Sequence, residues 1–295
     1  MKSAVLLVSH GTVDDLDDLA AFVTEVRRGH PPGAELVAEL RRRYEAIGGQ
    51  SPLNAVNARV AGKLEGRLGV RTTWANRLWK PYVHDVLAEL AADGVAHVAV
   101  VPLAQHSAHV YAEDARRAAD GTGVTVACAP GWGQSPKLHD AFAKRIRGVL
   151  GEPARTTVIL TAHSLPRVVV ERGDPYEGEV RASAAAVSER LGATVRTAVS
   201  FQSQGFGKPG EWLGPDLSTV LDEAAARGDA RVVFAPIGFL ADHVEILYDL
   251  DIEAAAMARE RGLASVRAPS LNDDHDLIDI LADVARPLLG QLGHG

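Results

Sequence analysis

Val158-Ile159-Leu160-Thr161-Ala162-His163, followed by Ser164-Leu165-Pro166 and then Gly173-Asp174-Pro175-Tyr176, decides how the chain is read. An uninterrupted apolar run of this length is the mark of a parallel strand buried on both faces. Ligands of open α/β sheets sit just beyond the carboxyl ends of such strands. The imidazole of His163 therefore stands where a ligand would be handled.

Similar runs recur on both sides of it, with helical stretches between them: about Ala4–Ser9, Arg71–Ala75, His97–Leu103 and Val124–Ala127, then Thr156–Ala162, Val195–Phe201, Arg231–Ile237 and Ala264–Ala268. Strands alternating with helices imply α/β architecture with parallel sheets, four strands in each half. The halves also resemble each other, which points to a duplicated unit. Leu6-Leu7-Val8-Ser9-His10-Gly11 parallels Ile159-Leu160-Thr161-Ala162-His163-Ser164. Val101-Pro102-Leu103 and Ala235-Pro236-Ile237 are each followed by a histidine seven residues after the proline, His109 and His243. Gly148–Pro153 reads as the hinge, which divides the chain into an N-terminal domain over 1–150 and a C-terminal domain over 151–274. The last helix, within 275–295, is expected to pack back on the N-terminal domain.

Composition narrows the function classes. Lys+Arg 31 against Asp+Glu 38 gives a net charge of −7, which argues against binding nucleic acid or an anionic membrane. A single cysteine, Cys128, leaves no internal disulfide and no cysteine-based zinc or iron–sulfur site. Ala4-Val5-Leu6-Leu7-Val8 is too short to cross a membrane and reads as the first strand. A cytoplasmic monomer without a transmembrane segment is expected.

The segment after the seventh strand carries a run of spaced acids: Asp242, Glu245, Asp249, Asp251 and Glu253. At 3.6 residues per turn, Glu245, Asp249 and Glu253 follow one another down one helix face, the outer two about 12 Å apart. Like charges four apart cost helix stability, so the row invites a functional explanation, and carboxylates suit Mg²⁺ or passing Fe²⁺. The plainer alternative is a D-x-x-E capping box made by Asp242 and Glu245. Asp249 and Glu253 lie too far along the helix for capping to account for them.

His10 and His106 also follow apolar strands, which makes three imidazoles candidates for one site. Arg27-Arg28 and Arg41-Arg42-Arg43 are the clearest basic groups. Tyr44-Glu45-Ala46-Ile47-Gly48-Gly49-Gln50-Ser51-Pro52-Leu53 follows the second. Guanidinium forks suit carboxylates; a solvated helix with a glycine C-cap is the alternative. No G-x-S-x-G elbow, P-loop, G-x-G-x-x-G or H-E-x-x-H is present, so serine hydrolases, P-loop NTPases, dinucleotide enzymes and zincins lose support.

Taken together, the motifs resemble those of the ferrochelatase family, which inserts Fe²⁺ into a porphyrin late in haem synthesis. The resemblance runs from Leu6 to about Pro269. It rests on Arg43-Tyr44-Glu45-Ala46-Ile47-Gly48-Gly49 with Ser51-Pro52-Leu53, Trp79-Lys80-Pro81-Tyr82, and Ala162-His163-Ser164-Leu165-Pro166 with Gly173-Asp174-Pro175-Tyr176. It continues through Phe201-Gln202-Ser203-Gln204, Trp212-Leu213-Gly214-Pro215 and Pro236-Ile237-Gly238-Phe239-Leu240-Ala241-Asp242-His243-Val244-Glu245. The resemblance implies two similar Rossmann-like (chelatase) domains of four parallel strands, enclosing a porphyrin cleft. It implies His163 and Glu245 as the catalytic pair. Asp249 and Glu253 would lead outward as further metal ligands to an outer Mg²⁺ site that Arg43 adjoins. Ser51 and Arg28 would meet the porphyrin propionates, and His10, Arg43 and His106 would complete the porphyrin contacts. No cofactor is required, and Fe²⁺ enters as substrate. Without a cysteine-rich extension or an apolar lip, the chain is similar to the soluble, cluster-free branch acting on protoporphyrin IX or coproporphyrin III.

One departure stands out. The coproporphyrin branch has tyrosine, able to touch iron, where this chain has His10 within Ser9-His10-Gly11-Thr12. That segment resembles the short chelatases of sirohydrochlorin, whose first strand ends in His-Gly. A chelatase for another tetrapyrrole or metal, or a haem- or porphyrin-binding protein without turnover, are the alternatives. Metallation removes two pyrrole protons as a dication enters, which calls for a base and a metal donor, here His163 and Glu245.

Overall fold

The computed structural model describes residues 2–204 and 211–292. The chain forms two compact units, one made of Met1–Trp132, Ala241–His243 and Asn272–Gly295, the other of Gly133–Leu240 and Val244–Leu271.

In the first unit, strands β1 (Lys2–Ser9), β2 (Thr72–Asn76), β3 (Val95–Pro102) and β4 (Thr125–Cys128) form an all-parallel sheet in the order β2-β1-β3-β4. Helices α1 (Leu19–Val26), α2 (Ala34–Ala46), α3 (Leu53–Leu68), α4 (Val83–Ala92) and α5 (Ala108–Ala119) connect them. Strand side chains alternate between faces, so Leu6, Val8, Val98 and Val100 pack against Val86, Leu87, Tyr111 and Ala115 of α4 and α5.

The second unit repeats the pattern. Its strands β5 (Thr156–His163), β6 (Arg196–Gln202), β7 (Arg231–Ala235) and β8 (Ala264–Arg267) form a parallel sheet in the order β6-β5-β7-β8. Its helices are α6 (Pro136–Val149), α7 (Arg167–Glu171), α8 (Tyr176–Leu191), α9 (Leu217–Ala226), α10 (Val244–Leu247) and α11 (Ala255–Glu260). Ile159, Val232 and Phe234 face Val220, Leu221, Ile246 and Leu250, whereas Ala162 and Phe201 face Tyr176 and Val180 of α8. His163 shares the parity of Ile159 and Thr161 and thus points to the α10 side.

The α/β class, the parallel pairing and all eight strands agree with the sequence. The division of the chain differs. Helix α6 precedes the glycine–proline punctuation at 148–153, yet it packs against α8 and β7 and belongs to the second unit, whose first residue is Gly133 and not 151. The last helix, α12 (His275–Gln291), packs against α3 and β3 in the first unit. Asn272 and Asp273 lead into it within that unit, where Lys63 and Arg59 pair with Asp273.

Candidate active site

In each sheet the chain leaves the first central strand in one direction and returns in the other, so a topological switch point lies between β1 and β3 and another between β5 and β7. His163 closes β5 at the second of these. Its backbone oxygen accepts from the Tyr176 hydroxyl at 2.9 Å, and the next residue, Ser164, donates from its N–H to Gln202 O at 2.7 Å and from Oγ to Leu213 O at 2.9 Å. These bonds fix the strand end from three segments. After β7 the chain crosses tightly over β5: Gly238 N–H donates to Thr161 O at 3.0 Å. A Cβ on Gly238 would lie 2.6 Å from Ala162 Cβ and 2.7 Å from its Cα. Because a backbone atom is involved, no rotamer change relieves the clash. Gly238→Ala is therefore expected to cost about 1–3 kcal/mol, read as a lower urea midpoint at unchanged m; an unchanged midpoint would refute the tight crossing.

That crossing brings Glu245, in α10, to His163: Nδ1 and Oε2 lie 3.1 Å apart, with the two side chains 36% and 37% exposed. Gln202, paired with His163 across the sheet, donates from Nε2 to Glu245 O at 2.9 Å and holds the start of the helix in place. Burial opposes the imidazolium, but the Glu245 carboxylate, by charge and by hydrogen bond, and the nearby Asp249 outweigh it, so the His163 pKa is raised above its usual 6.5. Nδ1 is engaged by Glu245, which leaves Nε2 for a metal or a pyrrole proton.

The acidic row does not follow a regular α-helix. Between α10 and α11 the backbone widens into a π-helix over Asp249–Ala254, in which Glu253 N–H reaches Tyr248 O, five residues back, at 3.0 Å. Such insertions are frequent at functional sites. The wider turn changes how the acids are displayed: Asp249 is buried at 4% exposure and bonded by the Ser203 hydroxyl, while Glu253 is exposed. Ser203 holds a left-handed φ of 59°, directly after β6. Asp251, off the row, is taken by the Arg267 guanidinium at 2.7 and 3.0 Å. The backbone N–H and the carboxylate of Asp242 are both matched by Asn272, at 2.8 and 3.0 Å. Among the described residues, the one group of three metal-ligating side chains with all ligand atoms within 4.8 Å of each other is Asp274, His275 and Asp276. Along this segment Glu245 is half-buried, Asp249 buried and Glu253 exposed.

In the first unit, His10 directly follows β1 and is exposed, with its Nδ1 3.4 Å from the Tyr111 hydroxyl. Arg28 is exposed, at φ 56°. Arg43 is half-buried and donates to Glu39 at 2.8 Å; together with Arg42 it holds the Glu39 pKa at about 2. Ser51 and His106 are each 2% exposed and offer a ligand almost no surface; Ser51 Oγ accepts from Leu53 N–H at 3.4 Å. Sequence reasoning did not single out Ser203, Gln202, Tyr176 or Tyr111. The first two stand inside the quoted Phe201–Gln204 motif and Tyr176 closes another, but nothing in their spacing told what they touch.

Residues 2–288 match the family model for ferrochelatase. The chain belongs to the ferrochelatase family. It is 36% identical to a ferrochelatase of Herpetosiphon aurantiacus, covering 96% of this chain and 98% of that one. It is 32% identical to the coproporphyrin III ferrochelatase of Bacillus subtilis, covering 98% and 99%. The fold is similar to that of SirB from Bacillus subtilis, solved with Fe³⁺, at a TM-score of 0.62 and 15% identity over 99% of this chain and 98% of the other. As a ferrochelatase, the chain is an enzyme of haem synthesis that inserts Fe²⁺ into a porphyrin. No helix among the described residues is long and apolar enough to cross a membrane.

Proposed function

We propose that His163 and Glu245 form the metallating centre of this ferrochelatase, with Asp249 and Glu253 as the path by which cations and protons pass to and from it. The observation that carries the proposal is the 3.1 Å contact of His163 Nδ1 with Glu245 at the switch point of the second sheet. Insertion exchanges two pyrrole protons for one Fe²⁺, so charge balances only if both protons leave. In the resting pair, the raised pKa favours the imidazolium of His163 beside Glu245. An arriving dication drives that proton off, because like charges disfavour the imidazolium. The bare Nε2 then serves as a metal donor or as a base toward the macrocycle, while Glu245 receives the second proton or steadies the metal. Asp249 adds negative charge next in the row, and Glu253 meets solvent.

In the first unit, we assign His10 as a nitrogen donor to the iron and Arg28, with its exposed guanidinium, as a propionate partner. The proposal extends to a single chain working in the cytoplasm on porphyrin and Fe²⁺. His10-Gly11 at the end of β1 favours one competing reading, a chelatase for another tetrapyrrole. Anaerobic incubation with Fe²⁺ and protoporphyrin IX, coproporphyrin III or sirohydrochlorin, in parallel, separates the two. Insertion into either porphyrin is expected. Insertion into sirohydrochlorin alone would transfer the site to the second reading, and porphyrin binding without insertion would make the chain a carrier.

A further inference from the structure

The two sheets repeat more than their strand order. In β1, Val8 pairs with Pro102 and His10 lies two positions further on. In β5, Leu160 pairs with Ala235, so the position beside Pro236 is Thr161, and His163 again lies two further on. Counting forward from each proline, the ninth residue is Tyr111 in the first unit and Glu245 in the second. Each sits on the helix that follows the third strand of its unit. Each meets the Nδ1 of the histidine at the end of the first strand, at 3.4 Å for Tyr111 and 3.1 Å for Glu245.

From this correspondence we infer that Tyr111 is a positioning residue, which holds His10 as Glu245 holds His163 and sets which ring nitrogen of His10 faces outward. A histidine that ligates a metal almost always donates its other ring N–H to a fixed acceptor. The Tyr111 oxygen is placed to accept the Nδ1 proton and so leave Nε2 bare. Its ring is well held: Tyr111 is 8% exposed, packs with Val8 and Val100, and lies under the Arg77 guanidinium at 5.6 Å. Arg77 is in turn paired with Asp114, about one helical turn beyond Tyr111 along α5. The main chain of His10 is fixed as well, since Arg77 and Leu78 donate their N–H groups to Ser9 O and His10 O at 2.8 and 3.0 Å.

This inference rests on the assignment of His10 as an iron donor, and the test separates the two. Nitrogen-15 NMR of the imidazoles in the full chain is expected to find His10 as the Nδ1–H tautomer, and Tyr111→Phe is expected to return it mainly to Nε2–H. In anaerobic metallation, Tyr111→Phe should raise KM for Fe²⁺ about tenfold, with KM for porphyrin unchanged. In a His10→Ala background it should add nothing. A wild-type His10 already in the Nε2–H form, or a Tyr111→Phe effect that persists without His10, overturns the positioning role. Unchanged KM for Fe²⁺ in His10→Ala, with the tautomer shift present, instead removes the donor assignment and leaves the Tyr111–His10 hold intact.

Discussion

Replacing His163 with alanine is expected to slow Fe²⁺ insertion by about 10³-fold while the protein stays folded. The loss is large because the imidazole is the group that exchanges its proton for the metal. It is confined to activity because the side chain is half-exposed and its backbone, tied to Tyr176 and by pairing to β6, does not depend on the ring. Porphyrin fluorescence decay under anaerobic conditions measures the rate, and a urea titration of the same sample reports the fold. A folded variant with near wild-type turnover would remove His163 from the chemistry.

Glu245→Gln is expected to cost about 10²-fold and, more tellingly, to move the pH profile. With its pKa raised by Glu245, His163 stays protonated to higher pH, so kcat/KM for Fe²⁺ in the wild type falls on the acid side of that raised value. Without the carboxylate charge, burial opposes the imidazolium with less to offset it, and the acid limb should shift to lower pH. The same coupling affects stability: the pair stabilises the fold fully below pH 6.5, and that share is lost as pH rises through the raised pKa. A profile that drops uniformly, with the acid limb unmoved, would mean that Glu245 acts without touching the titration of His163.

All eight strands were legible because strands buried on both faces must be apolar throughout, and runs such as Ala4–Ser9 or Thr156–Ala162 have few other uses. The two halves were legible from paired motifs, and the proline-to-histidine count that linked Pro102 with Pro236 pointed within two residues of Tyr111 and Glu245. The π-helix was not. Arithmetic at 3.6 residues per turn lays Glu245, Asp249 and Glu253 on one face, but the register in which the backbone bonds from Tyr248 onward is settled by packing around Asp249 and Ser203. Nor was the place of α6, since Gly151 and Pro153 mark where the helix stops and carry no information about what it packs on. Arg41, Arg42 and Arg43 looked alike in sequence; their partners Asp17 and Glu39 emerge only once α2 is formed and packed.

The most direct test of His163 and Glu245 as one metallating unit is a double-mutant cycle, with Fe²⁺ insertion into coproporphyrin or protoporphyrin measured for wild type, His163→Ala, Glu245→Gln and the double variant. Residues that act as a unit lose their effects together. The double variant is therefore expected to be no slower than His163→Ala alone by more than about threefold. Losses that multiply would contradict the account, because Glu245 would then contribute as much without His163 as with it.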